Sequence, residues 1–198
     1  MSIMADTTNK MVVLGVDPGH VNLGLCLISR TRTVPYADHR PGYHKYATER
    51  KLLFAGTPPL PNGAMRLIVD EIKLVLDSAC DISTPDIVVI EEQYGYKQAV
   101  VAHAIQMYCK CKGIPMRMVP PSTLPAKRKQ LLDRFSVSLP DPPARMKRER
   151  TISKWANVQT MRALCTSAEV DKGYKGNDHV ADAFIYAYNV LIEYELVN

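Results

Sequence analysis

Two apolar runs joined by a proline-glycine turn, followed by a change of period, constrain this chain more than any other feature. Residues 11–17, MVVLGVD, and 22–29, NLGLCLIS, have the character of buried strands, and Pro18-Gly19 turns the chain between them. A third strand is expected near Tyr43–Thr48 to complete a meander. The pattern then switches. After the breaker PPLPN at 58–62, Ala64, Ile68, Ile72, Val75, Leu76 and Ala79 recur at helical spacing, predicting a helix over 63–80. PDIVVIEEQ (85–93) reads as a fully buried, parallel strand. Helical period returns over 97–112, and IPMRMVPP (114–121) reads as a fifth strand. A proline-rich excursion over 120–143 holds a short basic helix near 124–135. Helices near 148–165 and 178–195 end the chain. A meander followed by alternating helix and strand implies an α/β fold, a mixed five-stranded sheet flanked by helices. One domain is expected over 11–198, with residues 1–10 as a flexible N-terminal extension.

Composition narrows the function. The formal charge is +5, but its distribution matters more. Lys127 to Lys154 holds nine Lys/Arg against three acids, a net +6, which leaves −1 for the rest of the chain. A localised basic zone on a nearly neutral body favours a polyanion, most often nucleic acid. Five scattered cysteines favour free thiols over a disulfide framework. The CKC at 109–111 lacks a second pair at zinc-finger spacing. No window of about 18 apolar residues suggests a membrane span. The first ten residues resemble neither a signal nor a transit peptide. An intracellular, reducing compartment is therefore expected, without a membrane partner.

The acids carry the chemistry. Asp17 ends the first strand and Glu91 ends IVVIE. Asp178, His179 and Asp182 open the last helix in NDHVAD, where Asp178/Asp182 are i, i+4 and His179/Asp182 are i, i+3. Taken singly, each has an ordinary reading: a turn cap, a strand-end surface acid, a helix N-cap. Together, carboxylates converging over a sheet edge repel one another unless cations sit among them. Oxygen ligands favour Mg²⁺ or Mn²⁺.

GVDPGHVNLG, VVIEEQ and DHVADAFIYA resemble, in order and in the elements they occupy, the three acidic motifs of RuvC-type Holliday junction resolvases. The Ile-Glu-x-Gln motif and the Asp-rich start of the last helix are most similar to the poxviral and mitochondrial branch. The resemblance implies an RNase H-like fold, a homodimer, and metal-dependent cleavage of four-way DNA junctions with two Mg²⁺ or Mn²⁺ per site. It assigns Asp17, Glu91 (rather than Glu92) and Asp182 as catalytic metal ligands. Asp178 and His179 compete for the remaining position, His179 by spacing and Asp178 by commoner chemistry. DNA contacts are expected from Tyr94, Tyr96, Lys97, Lys127, Arg128, Lys129, Lys147 and Arg148. Of these, Lys147 and Arg148 are candidates to neutralise charge on the reacting phosphate, and a tyrosine to stack on an opened base. Other readings are a different RNase H-like nuclease, a catalytically inactive DNA-binding relative, and a sugar-kinase or actin-like nucleotide binder. That last class needs two such domains and a second phosphate motif.

Overall fold

The computed structural model describes residues 9–19, 23–33, 47–56, 65–165 and 178–197. Among the described residues, five strands form one mixed sheet. β1 (Asn9–Asp17), β2 (Gly24–Thr33) and β3 (Ala47–Gly56) make an antiparallel meander. β4 (Ile87–Glu91) and β5 (Met116–Val119) run parallel to β1, in the order β3-β2-β1-β4-β5. Between and after them lie α1 (Met65–Ile82), α2 (Tyr96–Lys112), α3 (Leu124–Arg134), α4 (Glu149–Leu164) and α5 (Asp178–Val197). A parallel pair requires a crossover, and α2 supplies the one from β4 to β5.

The mixed five-stranded sheet flanked by helices is the architecture expected from the sequence. Two boundaries differ. β1 begins at Asn9, which pairs with Arg32, so the last two residues assigned to an N-terminal extension belong to the sheet. Residues 1–8 lie outside the described residues. The third strand is Ala47–Gly56, later than the expected 43–48, of which 43–46 lie outside the described residues. It follows ten-residue β2 along its length, pairing from Ala47↔Thr33 to Leu25↔Gly56. Its opening ATERK is too charged to read as a strand. An outermost strand, paired on one side only, commonly carries such charges.

Alternation along the strands sorts side chains into two cores. Val12, Leu14, Val16, Leu25, Leu27, Val88 and Ile90 face α1 and α2, packing on Ile72, Leu76, Val101 and Ile105. Val13, Cys26, Ile28, Val89 and Val119 face the other way, onto α5. From Val180 to Ile192, α5 is buried almost all round, because the sheet covers one side while α3 and α4 cover the other. The helix lies unusually close to the sheet. A methyl built on Gly15 of β1 would overlap the Ala183 carbonyl and stand 3.0 Å from the Ala187 Cβ. Only glycine allows this approach.

Candidate active site

The sheet delivers the acids. β1 and β4 are adjacent and parallel, in register to Val16↔Ile90. Asp17 and Glu91 therefore leave the two strands side by side at their C-terminal ends, and both are buried. Gly24 pairs with Asp17 across β1–β2. A Cβ there would lie 2.6 Å from the His179 carbonyl carbon. The missing side chain lets the first turn of α5 sit directly over the end of β1. The result is a hydrogen bond of 2.5 Å between His179 Nδ1 and Asp17 Oδ2. One turn further on, Asp182 reaches the same cavity, of about 540 Å³, which Asp17, Glu91, Gln93, Asn157, His179 and Asp182 help line.

Each carboxylate has an internal donor. Gln93 Nε2 donates to Glu91 Oε2 at 2.6 Å and lies 3.4 Å from Asp17 Oδ1. The Tyr186 hydroxyl donates to Glu91 Oε1 at 2.9 Å. Asn157 Nδ2 donates to Asp182 Oδ1 at 2.6 Å. These neutral donors do not balance the charge. Burial, reinforced by the Asp17 charge, pushes the Glu91 carboxyl up to about 8 and the Asp182 carboxyl up to about 7. The hydrogen bond to Asp17 raises the His179 imidazole. Two buried acids thus retain protons near neutral pH for want of positive charge.

Three carboxylates and an imidazole are residues that could hold a divalent cation. As they stand, Asp17 is held by His179 and Gln93, Glu91 by Gln93 and Tyr186, and Asp182 by Asn157. Among the described residues, no group of three His, Cys, Asp or Glu is arranged to hold an ion as the side chains stand.

The structure brings Asp17, Glu91, His179 and Asp182 together. It does not bring Asp178, which pairs with Lys154 and lies outside the cavity lining. Despite the cost of burial, that partner holds the Asp178 carboxyl below its ordinary value. Glu92 also stands outside the lining. The basic residues sort differently from the sequence expectation. Lys127 is largely covered and reaches Glu193 at 3.4 Å, and Arg128 donates to Ser153 and Asn157, so both turn toward the protein rather than outward. Lys129, Lys147 and Arg148 are exposed, but neither Lys147 nor Arg148 lines the cavity. Arg150 and Lys154 do. The sequence carried their signal: Arg150, Ser153, Lys154 and Asn157 fall at i, i+3, i+4 and i+7, one polar stripe of α4. Gln93 closes the motif that contains Glu91, and Tyr186 stands one helical turn after Asp182. Beyond the rim, Tyr94 and Tyr96 are 80% and 79% exposed, and Lys97 beside them is exposed.

Sheet order, strand directions and the covering helices define an α/β protein of the RNase H-like class. The particular likeness is to RuvC. The Thermus thermophilus RuvC structure in complex with a Holliday junction substrate matches with a TM-score of 0.58 at 19% identity, over 94% of this chain and 96% of RuvC. A second Thermus thermophilus RuvC structure matches at 0.59 and 19%, over 94% and 97%. A weaker match, 0.48 at 12% identity over 89% and 77%, is the yeast mitochondrial Holliday junction resolvase Ydc2. At these identities the likeness is one of fold. No family model matches the sequence, and no curated relative does.

Proposed function

We propose that this chain is a structure-specific endonuclease that hydrolyses phosphodiester bonds at four-way DNA junctions with Mg²⁺ or Mn²⁺, two ions per site. The observation that carries the reading is the convergence of Asp17, Glu91 and Asp182, from three separate elements, on one cavity bordered by Arg150 and Lys154. When bound, divalent cations supply Lewis acidity, activating water and offsetting charge on the phosphoryl group. The chain's own part is to hold them and to seat the DNA. Asp17, Glu91 and Asp182 would hold the cations, with Asp17 as the ligand common to both. His179 is the fourth donor, because it already meets Asp17 while Lys154 occupies Asp178. Arg150 and Lys154 border the cavity where a backbone phosphate enters, and their charge offsets that of the reacting group. Tyr94 and Tyr96 present free ring faces on which an unpaired base can stack. Lys97, Lys129, Lys147 and Arg148 are free to meet phosphates further along the DNA.

RuvC's complex with a Holliday junction substrate supports the choice of a branched substrate. A homodimer, which would place two such sites on opposing strands, and a reducing intracellular setting belong to the same proposal. Among the described residues, no helix is long and apolar enough to cross a membrane. The test is a cleavage panel in Mg²⁺ with four-way junctions, continuous duplex and RNA–DNA hybrids, and Asp17→Asn as control. Selective cutting of the junction supports the reading. Selective cutting of hybrids would replace it with a hybrid-directed nuclease.

A further inference from the structure

Arg128 lies in the basic run Lys127-Arg128-Lys129, whose evident use is to meet DNA. Its side chain goes elsewhere. From α3, Nη1 donates to Asn157 Oδ1 at 2.5 Å, to the Ser153 carbonyl at 3.0 Å and to Ser153 Oγ at 3.2 Å, all on α4. Asn157 is 2% exposed, and its Nδ2 donates to Asp182 Oδ1 at 2.6 Å. A continuous path therefore runs from α3 through α4 to the acid on α5.

We propose that Arg128 and Asn157 are positioning residues for the Asp182 carboxylate, with Arg128 fixing which end of the Asn157 amide faces the acid. The reason is donor–acceptor parity. A guanidinium only donates and stays charged, whereas an amide has one accepting end and one donating end. With Arg128 against it, the amide must turn its oxygen toward α3. Its NH₂ group then points at Asp182, whose carboxylate accepts in the ionised form that a bound cation requires. Remove the guanidinium and the amide can rotate by half a turn, setting its oxygen against the carboxylate. The hydrogen bond holds Oδ1 in place and leaves Oδ2 outside that contact. Partners of this kind, one step behind a metal ligand, change metal affinity by about 10–100-fold. The inference rests on the cation-binding reading of the site, but not on the identity of the substrate.

The experiment titrates Mn²⁺ by electron paramagnetic resonance into the full chain as wild type, Arg128→Met, Arg128→Lys, Asn157→Leu and the Arg128→Met/Asn157→Leu double variant. Metal-free junction binding is measured alongside over a range of salt. Expected are Mn²⁺ affinities about 10–100-fold weaker in Arg128→Met and Asn157→Leu. The double variant should be no weaker than the worse single, because both cut one path. Arg128→Lys, which keeps a donor-only group beside Asn157, should recover part of the loss. The salt slope of junction binding should not move. Wild-type Mn²⁺ affinity in both Arg128→Met and Asn157→Leu, or additive losses in the double variant, would overturn the inference. So would a salt slope reduced by about 0.9 in Arg128→Met, the mark of one lost phosphate contact. If Arg128→Met failed to fold, by thermal melt, Asn157→Leu and Arg128→Lys would decide alone. A wild type that binds Mn²⁺ but cuts no junction refutes the nuclease reading and leaves this inference standing. A wild type that binds no Mn²⁺ refutes both.

Discussion

Gly24→Ala tests the construction of the site without touching any of its polar groups. Gly24 lies in extended strand backbone, paired with Asp17, and alanine adopts that conformation freely. The effect is therefore steric. The added Cβ would stand 2.6 Å from the His179 carbonyl carbon and 2.8 Å from its Cβ. Carbon atoms in contact sit about 3.5–4.0 Å apart, so the first turn of α5 must retreat by about 1 Å. The His179–Asp17 hydrogen bond, now 2.5 Å, would lengthen to about 3.5 Å and cease to be one. Overpacking of this kind costs about 1–3 kcal/mol. For a chain of this size that lowers Tm by about 2–12 °C. The chemistry should suffer more than the fold, since a displacement of 1 Å at a reacting centre can cost about 10²-fold in rate. Two assays separate the consequences. Thermal unfolding should show the modest loss of stability. Nuclear magnetic resonance titration of His179 should show its pKa, raised by the Asp17 hydrogen bond, falling back toward the ordinary imidazole value. A Gly24→Ala protein with the wild-type His179 titration and the wild-type junction cleavage rate would refute the argument that this glycine sets the distance between helix and sheet.

Other perturbations follow from the same geometry. Asp17→Asn and Glu91→Gln should each abolish junction cleavage while leaving gel-shift affinity nearly intact, and Glu92→Gln should cut normally; the reverse result for the two glutamates would move the site by one residue. Metal affinity should rise with pH between about 6 and 9, because Glu91, at about 8, and Asp182, at about 7, must lose protons to bind a cation. For the metal-free protein the sign is opposite. The folded state holds protons that the unfolded state releases above the ordinary carboxyl values of 4.5 and 3.8, so stability should fall as pH rises to about 8 and then level off. The raised His179 adds stability below its unfolded pKa that is also lost on going up, and melts across pH in chelator would detect a contrary trend. Lys129→Glu alone should lower the salt slope of DNA binding, by about 0.9 if it removes one phosphate contact; an unchanged slope would make Lys129 a bystander. Tyr94→Ala or Tyr96→Ala should reduce the fluorescence change of 2-aminopurine placed at a junction crossover, by the loss of a stacking contact of about 1–3 kcal/mol, and wild-type signals in both would assign the rings elsewhere.

The fold was legible where its signals are local. The apolar runs of β1, β2 and β4 announce buried strands, and Ile72, Leu76, Val101 and Ile105 fall where helical spacing puts them. The expected third strand shares only Ala47 and Thr48 with β3, because an outermost strand needs neither a continuous apolar run nor strict alternation, and Glu49, Arg50 and Lys51 interrupt the pattern. The acids were legible for the same reason as the strands. Asp17 and Glu91 close apolar runs and Asp182 lies in the first turns of the last helix, so each stands at a local change of pattern. The antiparallel-then-parallel order brings those positions to one edge.

What each acid touches was not legible, because it depends on distances between elements far apart in the chain. Asp178 and His179 are neighbours with equal claims in the sequence. They are separated by where α5 lies: close enough to β2, across Gly24, to set His179 on Asp17, and close enough to α4 to give Asp178 to Lys154. The basic run of α3 shows the same limit. Lys127, Arg128 and Lys129 look equivalent in a charge count, yet a helix turns successive residues by 100°. The first is directed to Glu193 on α5, the second to Ser153 and Asn157 on α4, and the third to solvent. Charge density identified the neighbourhood of the site. Which charges stay exposed and which hold the helices over the acids is set by packing, and the packing turns on two glycines of the sheet, Gly15 and Gly24, whose lack of a side chain sets how near α5 can come.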